Sequence, residues 1–134
     1  MARFPERRSL VRFPVTDMTV SISMRFRIGS YRGTVVDFNR HGITIELPHP
    51  LPMNKPLFVN LRYPRLDTET IIATAHNCHS LDRGRRYRCG IRFRTDSHLQ
   101  LDRDEVEAAL RSVESELAKD RVSSSASRRI PTAT

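Results

Sequence analysis

Apolar and polar residues alternate strictly from Thr19 to Ile28, with Val20, Ile22, Met24, Phe26 and Ile28 on one face and Thr19, Ser21, Ser23, Arg25 and Arg27 on the other. A period of two belongs to a half-buried strand, whose successive side chains point to opposite faces. The same alternation returns in Ile43, Ile45 and Leu47, in Leu57, Val59, Leu61 and Tyr63, and in Tyr87, Cys89, Ile91 and Phe93. With Tyr31 to Asp37 and Thr70 to His79, about six strands are expected. Turn-forming stretches separate them: Gly29-Ser30, Asn39 to Gly42, the proline-rich Pro48 to Pro56, Pro64 to Asp67, and Asp82-Arg83-Gly84. Short antiparallel strands with one apolar face and hairpin-length connections predict a small six-stranded antiparallel β-barrel, which closes on itself and so protects its edges.

After Asp96 the period lengthens. Val106, Ala109, Leu110, Val113 and Leu117 fall on one stripe of a helix opening near Asp102, with Glu105 and Glu107 near its start and Lys119 near its end to suit the helix dipole. The fold class is therefore all-β with one amphipathic C-terminal helix packed on the barrel. Residues 1–16 read as a flexible arginine-bearing arm, 17–98 as the barrel and 99–120 as the helix. Residues 121–134, which contain the run SSSASRRIPTAT, hold too few apolar side chains to order themselves and read as a disordered tail.

Length and composition narrow the class. The chain has 134 residues, 38% of them hydrophobic, which suits one domain with one modest core. No run of about 18 apolar residues is present to span a bilayer, and the start MARFPERRSL lacks the apolar stretch of a signal peptide, so a soluble cytoplasmic protein without membrane insertion is expected. Two cysteines, Cys78 and Cys89, are too few for the disulfide framework of a small secreted domain, and both are expected as free thiols. The net charge of +8 is carried by arginine, with only Lys55 and Lys119 as lysines. That bias suits planar phosphate or base recognition, although arginine-rich coding from genomic base composition produces it equally well. Residues 1–98 hold 17 basic and 8 acidic residues, whereas 99–134 hold 6 and 7, which places an anionic partner on the first part.

Two constellations there carry candidate chemistry. Arg7-Arg8-Ser9-Leu10-Val11-Arg12 sets Arg8 and Arg12 four residues apart on the arm, where two guanidinium forks can close over an anion; composition alone reads the same run as a solvated basic tail. Asp37-Phe38-Asn39-Arg40-His41-Gly42 lies between two clear strands, and read alone it is an ordinary hairpin loop in which Gly42 supplies a left-handed turn.

Together, an Arg-x-x-x-Arg arm, a strand and an Asp/Asn-x-Ser-x-x-Gly turn resemble the signature of the PilZ domain family, here Arg8 to Arg12 followed by Asp37, Asn39 and Gly42. The segments GTVVD (33–37), GITIELPHPL (42–51) and GIRF (90–93) look like the family's strand blocks in the family's order, and the resemblance covers roughly residues 4 to 120. It implies a six-stranded barrel that binds cyclic di-GMP, with Arg8 and Arg12 on phosphate and guanine, Asp37 on a guanine N–H edge, and Gly42 keeping the backbone close to the ligand. Arg7 adds a stacking surface, which by resemblance goes with a stacked pair of ligand molecules. The chain departs from the family at Asn39, where serine is usual. Asparagine still accepts and donates hydrogen bonds and tolerates turn geometry. Because some members with altered motifs act as protein-interaction modules that do not bind the nucleotide, that reading stands as the alternative.

Other chemistry is weakly signalled. His76, Cys78, His79 and Cys89 match no standard zinc spacing, and Cys89 belongs to an apolar strand face, so no metal is expected. No nucleophile-and-base signature appears, so the chain reads as a non-enzyme. Arg83, Arg85, Arg86, Arg88, Arg92 and Arg94 read as a solvated hairpin face that can also meet an acidic partner. Nucleic-acid binding is disfavoured because the chain has no Trp and only nine Phe and Tyr residues, several of them in apolar strand sets. The expected function is a cyclic di-GMP receptor without a further cofactor, signalling to a protein partner through ligand-induced ordering of its arm.

Overall fold

Each alternating segment becomes a strand. The computed structural model describes residues 12–24, 29–64 and 66–132, the side chains of 66 and 120–132 excepted. Its elements are β1 (Phe13–Pro14), β2 (Thr19–Met24), β3 (Tyr31–Asn39), β4 (Gly42–Leu47), β5 (Leu57–Tyr63), β6 (Leu66–Asp67), β7 (Ile71–Leu81), β8 (Arg86–Phe93) and one helix, α1 (Arg103–Thr132). Six strands form the barrel in the order β3-β2-β5-β7-β8-β4, all antiparallel, and β3 pairing with β4 closes the ring. The two-residue strands β1 and β6 extend β3 and β5. Phe26 and Ile28, expected at the end of the first long strand, lie outside the described residues.

The apolar face of every barrel strand points inward, as the alternation requires. Ile22, Ile43, Ile45, Leu57, Val59, Ile71 and Cys89 are fully buried. One end of the barrel is sealed by Phe38, whose ring lies 6.2 Å from that of Phe93, and by the helix residues Val106, Leu110, Val113 and Leu117 in the same core. Gln100 aims the helix: its Oε1 accepts from the Ile72 N–H at 2.7 Å while its Nε2 donates to the carbonyls of Thr70 and Leu101. Buried polar atoms must be paired, and Gln100 satisfies a strand end by doing so.

Three boundaries differ from the expectation. The chain joins the barrel at Phe13 rather than residue 17, because β1 pairs with β3 and Val15 is buried. The segment assigned to the helix from residue 99 is helical only from Arg103, at the opening expected near Asp102, because residues 95–101 form the turns that Gln100 ties to β7. Its backbone continues to Thr132, past the expected end at 120. Propagating a formed helix adds one hydrogen bond per residue fixed, and no proline intervenes before Pro131. Glu105 also departs from its expected benefit at the helix start. The adjacent charge of Asp102 is the main cause that raises its pKa.

Both cysteines were expected as free thiols; the structure brings Cys78 and Cys89 together as a cross-strand pair on β7 and β8. The cause is register. A bulge in β7 between Ala75 and Asn77 shifts the pairing by one residue, so that Cys78 stands directly opposite Cys89 with Cα atoms 4.2 Å apart. Such close approach is typical of a non-hydrogen-bonded antiparallel pair, and sequence spacing does not reveal it.

On the outer face Glu46 of β4 binds both Arg86 and Arg88 of β8, and its side chain is only 12% exposed. Hydrogen bonding to Arg88 is the main cause that holds its pKa below the ordinary 4.5. A carboxylate with a depressed folded pKa contributes its stability above the unfolded value and loses it as pH falls through the folded one. Glu46→Gln is expected to cost about 1–2 kcal/mol at neutral pH, discounted because both arginines are half exposed. Urea melts of the two proteins should converge as pH falls through the depressed folded pKa of Glu46; a gap that persists once the carboxyl is protonated would mean that Glu46 acts through packing. Leu110→Ala, which empties a site in the sealed end, should lower stability by about 2–4 kcal/mol with an unchanged denaturant slope. A loss under about 1 kcal/mol would show that the helix contributes little to the core.

Candidate functional site

Local pairing decides where the motif residues stand. β1 holds Arg12 beside β3, since Phe13 pairs with Phe38 and Pro14 with Asp37. A proline fits this short flanking strand because it needs no donor on its outer side. Asp37 lies just past a bulge, where the register moves from Val35 opposite Ile45 to Asp37 opposite Thr44. Bulges re-aim side chains. Arg12 reaches Asp37 Oδ1 through Nε at 2.9 Å and Nη2 at 2.8 Å, and its Nη2 approaches Thr44 Oγ1 at 3.5 Å. Arg7 and Arg8 lie outside the described residues.

Asn39 is 2% exposed, and its Oδ1 accepts from the N–H groups of His41 (2.7 Å) and Gly42 (3.1 Å). Its side-chain oxygen therefore fastens the Arg40-His41 turn between β3 and β4. Serine can do this through its hydroxyl, which explains how either residue serves at this position. The turn is held further by Glu114 of the helix, which accepts from the Arg40 N–H, and by the Phe93 N–H on the His41 carbonyl. The left-handed role for Gly42 is corrected. Its φ is not positive; a Cβ there would strike the carbonyl of Ile91 on β8, so glycine is needed for close strand approach.

Continuing around the barrel, Thr44 of β4 faces Gly90 of β8, and Gly90 faces Asn77 of β7. A Cβ on Gly90 would meet the Asn77 side-chain amide at 2.8–2.9 Å and His76 Cε1 at 3.0 Å. Asn77 Oδ1 accepts from the Gly90 N–H at 2.9 Å, and its Nδ2 lies 3.1 Å from His76 Nδ1. Burial lowers the pKa of His76 from 6.5, and the charges of Arg92 and Arg12 push it the same way. The His76 ring is therefore biased toward its uncharged form.

The result is one outer face with a floor of Thr44 and Gly90, Arg12 and Asp37 on one side, and His76, Asn77 and Arg92 on the other. It combines two arginines, one of them held by the single carboxylate, with a floor that carries a glycine, a chemistry suited to an anion that also offers hydrogen-bonding edges. Sequence reasoning placed Arg12, Asp37, Asn39 and Gly42 together. It missed Thr44, Asn77, Gly90 and Arg92 as members of the face and raised His76 only as a metal ligand. A glycine inside a β-rich run was the available signal for Gly90. Of the arginine-rich hairpin, Arg86 and Arg88 are engaged by Glu46, Arg94 pairs with Asp96, and Arg83 and Arg85 stand exposed at the turn.

Comparison with known proteins bears on this arrangement. Among solved structures, that of K. pneumonia MrkH in its apo state superposes with a TM-score of 0.63 at 16% identity, covering 85% of this chain and 50% of that one. The chain thus spans about half the length of MrkH, and the likeness is one of fold. Curated protein sequences contain no match. The profile of the PilZ domain matches residues 6–112, a span that takes in the Arg8–Arg12 and Asp37–Gly42 motifs, every barrel strand and the first turns of the helix. On that match the chain belongs to the PilZ domain family.

Proposed function

We propose that this PilZ domain is a non-catalytic receptor for cyclic di-GMP whose loaded state is read by a protein partner. The observation that carries the reading is the position of Arg12. It stands at the rim of an outer face, paired with a carboxylate that a ligand phosphate can replace, and Arg92 stands two residues beyond Gly90 on β8. Two phosphates and two guanine edges suit this face: guanidinium groups fork onto phosphate or onto guanine O6 and N7, and Asp37 accepts from a guanine N–H once Arg12 turns to the ligand. Arg7 and Arg8 complete the cationic set from the preceding residues, and their capture is the change that the partner reads.

Asn39 supports binding over the nucleotide-independent alternative, because the side chain that stands where serine is usual is buried and its oxygen is engaged inside the turn. A calorimetric titration separates the two readings: saturable heat with cyclic di-GMP supports the receptor, and its absence leaves the interaction module. Arg8→Ala and Arg12→Ala are each expected to weaken binding roughly 10- to 150-fold, the worth of a charge-assisted hydrogen bond. Exposed Arg111→Ala is the control and should change little. If Arg12→Ala binds like the parent protein, Arg12 is not a ligand contact.

Asn39→Ser should keep both melting temperature and affinity, since a hydroxyl can fasten the same turn. Asn39→Ala strips the acceptor from two backbone amides and should cost about 1–3 kcal/mol of stability. Loss of affinity in Asn39→Ser with an unchanged melt would show that the asparagine touches the ligand itself.

A further inference from the structure

On the wall away from the candidate site, β3, β2 and β5 frame a groove of 660 Å³. Thr34, Thr19 and Arg62 form one cross-strand row, and Arg32, Ser21 and Asn60 the next. Short side chains on the central strand make the floor, and the two long arginines stand diagonally on opposite rims. Their Cα atoms are two strand spacings apart, about 10 Å, and two residues offset along the strands, about 7 Å. Both arginines are exposed, and Arg32 makes no ion pair among the described residues. Arg62 pairs with Asp67 at 3.3 Å, but these side chains are 81% and 70% exposed, so a competing carboxylate displaces Asp67 easily.

We propose that this groove binds an extended acidic segment of a partner protein. The lining decides the class of occupant. Clefts for small organic ligands are mostly apolar and aromatic, whereas no aromatic residue lines this one, and Val20 and Leu61 turn their side chains into the core. A nucleobase would find no ring to stack on. Hydrogen-bonding groups suited to a peptide backbone are present instead. Asn60 Nδ2 is held by the Thr68 carbonyl and Thr70 Oγ1, which leaves its Oδ1 to accept from a peptide N–H. Thr68, largely buried, lines the groove and accepts from the Leu61 N–H through its Oγ1. Carboxylates two residues apart on an extended segment share a face at a spacing of about 7 Å, within reach of Arg32 and Arg62 together.

The proposal rests on the adaptor reading only for the partner's role, since the groove's chemistry needs no nucleotide. The test uses the full chain and a fluorescent synthetic peptide alternating glutamate and serine, with a lysine-serine peptide as control, in the presence and absence of cyclic di-GMP. Arg32→Glu combined with Arg62→Glu should weaken binding of the acidic peptide by about tenfold or more, while the same charge change at Arg83 and Arg85 should alter it less than about threefold. Asp67→Asn, which removes the internal competitor, should strengthen it. Amide shifts in NMR should concentrate at Thr19, Ser21, Thr34 and Thr68. Equal weakening by the two double variants, or shifts centred elsewhere, would overturn the proposal. So would inorganic pyrophosphate binding in the groove as tightly as the peptide, because the occupant would then be a small anion. Peptide binding without any nucleotide binding would sink the receptor reading and leave the groove standing; nucleotide binding without peptide binding would do the reverse.

Discussion

Closure of the sheet is the constraint on which the rest depends. Six strands can meet edge to edge only if they tilt and coil, and the backbone must make room where neighbouring strands press together. Gly42 sits where a Cβ would strike the Ile91 carbonyl of the next strand, and Gly90 where one would meet the Asn77 side chain. Two bulges, between Val35 and Asp37 and between Ala75 and Asn77, absorb the mismatch in pairing. The same devices build the candidate site. One bulge precedes Asp37, the other includes His76, and Gly90 stands in the floor between them. Geometry that serves closure thus also gathers the polar groups on the outer wall.

Around this frame the supporting contacts are divided by location. Inside, an apolar core runs from β2 to the helix stripe and seals the end under Phe38. Outside, Glu46 ties β4 to β8, and Asn39 fastens the turn that leads into β4, with Glu114 of the helix reaching the same turn. The helix is therefore joined to the site through the Arg40 backbone as well as through the core.

Period-two alternation made most strands legible in the sequence, because one face is buried and burial fixes which residues turn inward. The helix stripe was equally plain. Asp37, Asn39 and Gly42 were legible as a group because they are local, within six residues of one another. Thr44, His76, Asn77, Gly90 and Arg92 were not, because they meet through cross-strand register, and a one-residue bulge that no propensity marks shifts that register. The Cys78–Cys89 pair escaped for the same reason. Helix length escaped for another: low apolar content argues against tertiary packing, not against continued backbone hydrogen bonding.

Asp37 has a consequence beyond its place in the motif. By pairing with Arg12 it supplies the face with its own counter-ion, tethered to the same barrel and held at a high effective concentration. Any free anion must displace a competitor that cannot diffuse away. A monovalent ion in solution, offering one charge and no further contacts, is at a disadvantage in that exchange. Under the proposed function, a ligand that brings several groups to the face at once would recover the loss through its other contacts, and the built-in carboxylate would favour multivalent ligands over simple ions.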